Sequence, residues 1–139
     1  MELFKLREGY LTKNFTIKEL SCPCGDCNSI YDYDFVTLLQ AMRTRLCKPL
    51  KINSGYRCEM YNRKIGGSHL SMHMKGCAAD IAIDGWSAKQ KYDLLNLAFG
   101  MGFVGIAQSE KFVHVDLRSG ALSTWIYTVQ SLRGFSNRD

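Results

Sequence analysis

Cys77-Ala78-Ala79-Asp80-Ile81-Ala82-Ile83 is an apolar run with a single acid in its middle. It is short, rich in small and β-branched residues, and reads as a strand buried on both faces. A lone ionised carboxylate there costs several kcal/mol, on the order of a buried unpaired charge, unless it is paired or bound to a metal. Phe112-Val113-His114-Val115-Asp116-Leu117 poses the same problem farther along the chain. Strand alternation puts His114 and Asp116 on one face and Val113, Val115 and Leu117 on the other. With His73 seven residues before Asp80, two imidazoles and a carboxylate make up the ligand set of a catalytic zinc site with one position open. The alternative is that Asp80 pairs with an arginine and the histidines are ordinary. His69 and His73, at i,i+4, would form a ligand pair only if that stretch were helical, and Lys75-Gly76 favours a loop from Ser68 to Gly76.

Outward from these strands the pattern is α+β. Thr16-Ile17-Lys18-Glu19 is a capping box opening a short helical turn, and Ser21 to Asn28 is a loop. Asp32 or Asp34 caps a helix whose apolar stripe is Phe35, Leu38, Leu39, Met42 and Leu46, with Pro49 as its stop. Leu50 to Asn53 reads as a strand, and Cys58 to Ile65 as a short helix ending at Gly66-Gly67. Ser87 and Gln90 open a helix through Phe99 that Gly100 and Gly102 stop. Phe103 to Ala107 and Lys111 to Leu117 then form two strands, read as a hairpin within a small antiparallel sheet packed on helices. In the tail from Ser119 to Asp139, Trp125, Ile126 and Tyr127 either pack on the core or line a substrate groove, and packing is the expectation.

The 139 residues suit one domain, with apolar residues at 46% and charged residues at 22%, which excludes disorder. No apolar run reaches the roughly 18–20 residues of a membrane helix. The opening Met1 to Glu8 lacks the apolar core of a secretory signal, so synthesis in the cytoplasm is expected. The net charge of +5 fits nucleic acid, an anionic wall polymer or lipid head groups, but no basic block interleaved with aromatics supports the first. Of six cysteines, Cys22, Cys24 and Cys27 cluster. A closed structural zinc site needs four ligands, and no fourth cysteine follows at zinc-ribbon spacing. Asp26 or Cys47 would join only by tertiary accident, so free or loosely paired thiols are favoured over a second metal. Cys77 reads as a small buried hydrophobe.

Ser54-Gly55-Tyr56-Arg57, Asn62, Gly66-Gly67, then Ser71-Met72-His73-Met74-Lys75-Gly76-Cys77-Ala78-Ala79-Asp80 and Phe112-Val113-His114-Val115-Asp116 together resemble the zinc D-Ala-D-Ala carboxypeptidase family. That family also holds bacteriophage and bacterial peptidoglycan endopeptidases and shares its fold with the hedgehog signalling domain. The resemblance runs from about Phe15 to Arg118. It implies one catalytic Zn2+ held by His73, Asp80 and His114, with Arg57 gripping a substrate carboxylate and Ser71 touching substrate. An ion pair of Arg57 with Glu59 or Asp80, and a turn-forming hydroxyl at Ser71, are the alternatives. Many members carry an acid three residues before the last histidine, where this chain has Lys111. Asp116 is preferred as general base, with Glu110 as the alternative; pairing with Arg118 would instead make Asp116 structural.

The resemblance therefore implies a zinc metallopeptidase, a carboxypeptidase or endopeptidase on peptidoglycan stem peptides, and a monomer is expected. It would act on the cell wall after release or from a phage particle, without nucleic acid or membrane as partner. A zinc-containing binding module of the same fold, without hydrolysis, is the alternative.

Overall fold

The computed structural model describes residues 6–127; the expectations for the first residues and for the tail beyond Tyr127 lie outside these. The Thr16 capping box forms as read and opens α1, Ile17–Leu20. Asp32 is the cap of α2, Tyr33–Leu46, accepting from the Phe35 N–H. This helix ends before Pro49 acts, because Cys47 turns left-handed at φ 55°. Strand β1 is Ile52–Ser54, set slightly later than Leu50 to Asn53. Cys58 caps α3, Glu59–Lys64, and accepts the Tyr61 N–H on its sulfur.

The stretch from Ser68 to Gly76, expected as loop, contains a 3-10 turn at Met72–Lys75. Ser71 caps it, and left-handed Gly76 closes it. Strand β2 follows at Ala78–Ala82. Helix α4, Ala88–Met101, opens on the Ser87–Gln90 box but runs through Gly100; the left-handed Gly102 alone ends it. One glycine costs a helix only ~1 kcal/mol, less than the packing of Leu94 and Ala98 in the core returns. Strands β3, Gly105–Gln108, β4, Phe112–Asp116, and β5, Ser123–Ile126, complete the sheet. No helix among the described residues is long and apolar enough to cross a membrane.

The sheet has five strands in the order β1-β2-β4-β3-β5. All neighbours are antiparallel except β5, which lies parallel to β3. The expected purely antiparallel sheet is thus corrected at its edge, where the chain crosses over before pairing. One sheet face carries Ala79, Ile81, Ile106, Val113 and Val115 into a core with Phe35, Leu39 and Met42 of α2 and Leu94 and Ala98 of α4. Pleating sends the intervening residues to the other face. There the register aligns Ser54 with Asp80, Asp80 with His114, His114 with Ala107, and Ala107 with Trp125. One row across all five strands thus carries the unusual polar residues. The next row pairs Ala78 with Asp116 and Asp116 with Gly105. A Cβ at Gly105 would overlap the Asp116 carboxylate, so glycine is what lets β3 run past that side chain.

Candidate metal centre

His73 joins this row from above. Its 3-10 turn is anchored by Ser71 Oγ, which accepts the His73 N–H at 3.1 Å, while the His73 carbonyl accepts from Arg57 N–H at 3.1 Å. The His73, Asp80 and His114 side chains are all buried, none more than 1% exposed. Their donor atoms lie within 4.8 Å of one another, and the two imidazole centroids are 5.2 Å apart. His69, by contrast, is exposed and outside the group.

The protonation pattern follows from the partners. His73 Nδ1 lies 2.7 Å from the Gly55 carbonyl, which can only accept, so Nδ1 carries the hydrogen. His114 Nε2 lies 2.7 Å from Asp116 Oδ2 and donates to it. The remaining nitrogens, His73 Nε2 and His114 Nδ1, both face Asp80 Oδ1, at 3.3 and 3.0 Å. In neutral imidazoles those nitrogens present lone pairs, as the carboxylate does, and lone pairs converge stably only on a shared cation. His73 Nε2 and Asp80 Oδ2 are also buried without a hydrogen-bond partner. Ligand bonds of about 2.0–2.1 Å in a tetrahedron set neighbouring donors ~3.3 Å apart, so the spacing fits a small divalent ion such as zinc. Gly55 and Asp116 then act as the outer partners that fix each ring's tautomer.

Electrostatics agree. Burial alone pushes the Asp80 carboxyl up, but His73 and His114 outweigh it and hold the group well below the usual carboxylate range. Burial likewise pushes the His114 imidazole down, yet Asp116 and Asp80 together raise it to about 9. Two carboxylates around one ring favour a cation at its inner nitrogen, whether proton or metal.

Arg57 is fully buried and does not reach outward. Its Nε donates to Ser54 Oγ at 3.0 Å, its Nη1 to Asn62 Oδ1 at 2.9 Å, and its Nη2 lies 3.5 Å from Asp80 Oδ2. The guanidinium is thus enclosed beside Asp80, the ion-pair arrangement, with Nη2 making no hydrogen bond. Glu59 instead pairs with Arg63 at the surface. Removing one partner of a buried pair leaves the other uncompensated. Arg57→Leu is expected to lower the stability of chelator-treated protein by about 3–5 kcal/mol, read from the midpoint of urea unfolding.

Asp116, the preferred base, is also enclosed and fully engaged. Besides His114 Nε2, its oxygens accept Arg118 Nη2 at 2.6 Å, Arg118 Nε at 3.0 Å and the Arg118 N–H at 3.0 Å. Burial pushes this carboxyl up as well, but His114 and Arg118 hold it well below the usual range. This geometry orients the His114 ring. Ser71, 3% exposed, spends its hydroxyl on the turn that presents His73. Glu110 is exposed in the turn between β3 and β4, and Lys111 beside it is exposed too.

Trp125 reaches the site through β5, its ring 5.3 Å from that of His114, and Arg118 lies over its face at 4.7 Å. Of the three aromatic and aliphatic tail residues expected to pack, only Tyr127 is buried, while Ile126 is 74% exposed. Trp125 instead lines a hollow of about 360 Å3 with Ser68, Leu70, Ser71 and Arg118. The fold also draws Cys58 to Cys22, Cys24 and Cys27, all four sulfurs within 4.8 Å of one another. The missing fourth thiol is present after all, delivered by the start of α3.

A family model described as Peptidase M15 matches residues 13–116. No curated protein matches the chain.

Proposed function

The chain belongs to the Peptidase M15 family, and from that premise we propose that it is a zinc metallopeptidase hydrolysing peptide bonds of peptidoglycan stem peptides. The observation that carries the reading is the convergence of His73 Nε2, His114 Nδ1 and the Asp80 carboxylate, buried and within 4.8 Å of one another, with His73 Nε2 and Asp80 Oδ2 making no hydrogen bond. A zinc ion held there would supply a Lewis acid for the scissile carbonyl and an acidified water. Gly55 and Asp116 keep the two imidazoles in the ligating tautomer, and Arg57 offsets the carboxylate charge. The hollow between Ser71, Arg118 and Trp125 is the groove for the peptide. Its indole face suits alanine methyl groups, and Arg118, 26% exposed at its side chain, suits an anionic end of the stem. Glu110 is the remaining carboxylate for proton transfer, since Asp116 is occupied.

That occupation, together with Lys111 at the usual acid position, also favours a second reading: a zinc-holding module that binds wall peptides without cutting them. Mass spectrometry of defined peptidoglycan fragments incubated with the full chain separates the two. Release of alanine or a split stem peptide, lost with chelator and restored by zinc, is the expected result and names the bond. A folded, zinc-loaded protein that leaves every fragment intact would overturn the hydrolase in favour of the module.

A further inference from the structure

The loop from Ser21 to Asp32 contains no helix or strand, yet it is folded back on the start of α3. Its contact with α3 is made by sulfur. Cys22 Sγ lies 3.7 Å from Cys58 Sγ, and Cys58 Sγ lies 3.9 Å from Cys24 Sγ. These separations are far longer than a disulfide bond of about 2.05 Å. They match the edge of a tetrahedron with zinc–sulfur bonds of about 2.3 Å, which places sulfurs ~3.8 Å apart. Backbone N–H groups are aimed at the sulfurs: Asp26 at Cys24, Cys58 at Cys22 and Tyr61 at Cys58, each at 3.4 Å. Such donors stabilise thiolates, the ligating form. Cys22 is buried, and Cys24, Cys27 and Cys58 are half-buried, whereas Cys47 is exposed and elsewhere.

We propose that Cys22, Cys24, Cys27 and Cys58 form a second, structural metal site, a closed four-thiolate centre for Zn2+. On binding, the four thiols release four protons and the ion accepts four thiolates, leaving a centre of net charge −2 and changing no oxidation state. With all four positions filled by protein, the site offers no place for water or substrate. Its work is to pin this loop to the start of α3, beyond the anchors it already has in the Cys22 N–H to Ser29 Oγ bond, the Asp32 N–H to Gly76 carbonyl bond and the packing of Tyr31 on the core. It also fixes Cys58, the residue next to Arg57, whose guanidinium faces Asp80. The thiolate centre would thus brace the row of residues described above without taking part in chemistry there. It stands whether or not that row proves to be a peptidase.

The test uses the full chain, purified under reducing conditions and loaded with Co2+ or Zn2+. Cobalt is expected to give a strong sulfur-to-metal charge-transfer band, which a His/Asp/His centre cannot produce. The band is expected to persist in Asp80→Asn and to disappear in Cys24→Ser, with one metal ion fewer per chain in each variant. Thiol alkylation read by mass spectrometry covers the case in which Cys24→Ser does not fold. Zinc is expected to shield Cys22, Cys24, Cys27 and Cys58 in the unaltered chain while Cys47 reacts freely. Absence of the charge-transfer band would overturn the proposal. So would equal labelling of the four cysteines with and without zinc, or a disulfide among them in the reduced preparation.

Discussion

Asp80→Asn is expected to strip the metal from the buried row and to abolish peptide hydrolysis. Asp80 is the residue that both inner imidazole nitrogens face. Asparagine keeps its volume but loses the charge, and its amide N–H would donate into one of those nitrogens and occupy the lone pair a metal needs. Loss of outer partners of metal ligands already costs ~10–100-fold, so removal of a ligand charge should cost well beyond that. The measurement is zinc content after dialysis alongside the rate of fragment cleavage. His73→Ala should act in the same direction. An Asp80→Asn protein that keeps its full zinc content and cleaves at the unaltered rate would remove the carboxylate from the site.

Asp116→Asn separates two roles that would both be called essential. If Asp116 positions His114, as its enclosure between His114 and Arg118 indicates, then asparagine still accepts the His114 Nε2 hydrogen through its carbonyl. It loses only the charge that makes the ring a better ligand. Zinc affinity and cleavage rate should then fall together, by roughly 10–100-fold. If Asp116 were the base, zinc affinity would hold while the rate fell by about 10²–10⁴-fold. Zinc competition against a chromogenic chelator, paired with initial rates, reads both quantities from one preparation.

The buried polar residues of the candidate site were legible in the sequence because they break a strong rule. Asp80 among alanines and isoleucine, and His114 and Asp116 alternating with valines, are polar residues where burial is costly, and only a shared purpose keeps them there. The family match over most of the chain agrees with the motifs that stood out. Helix caps were legible for a related reason, since Thr16, Asp32 and Ser87 satisfy backbone N–H groups within three residues of themselves. Arg57 shows where such reading stops. Its chemistry suits a substrate carboxylate and a buried one equally, and nothing local reveals that Ser54, Asn62 and Asp80 close around it.

The sequence alone determined the α+β pattern and the caps and singled out Asp80, His114 and Asp116, because each depends on short-range periodicity or on a residue out of place in its own segment; His73, in a polar loop, joins them as a candidate ligand only by its spacing to Asp80 and by the family resemblance. The tertiary structure alone decided which atoms of those side chains face one another, that Asp116 turns toward Arg118 and His114, and that β5 brings Trp125 alongside the site. It alone also decided that Cys58 completes a set begun at Cys22, 36 residues earlier. These are distances between segments far apart in the chain. They are set by strand register and by which helix start lands on which loop, and no local pattern of residues encodes them.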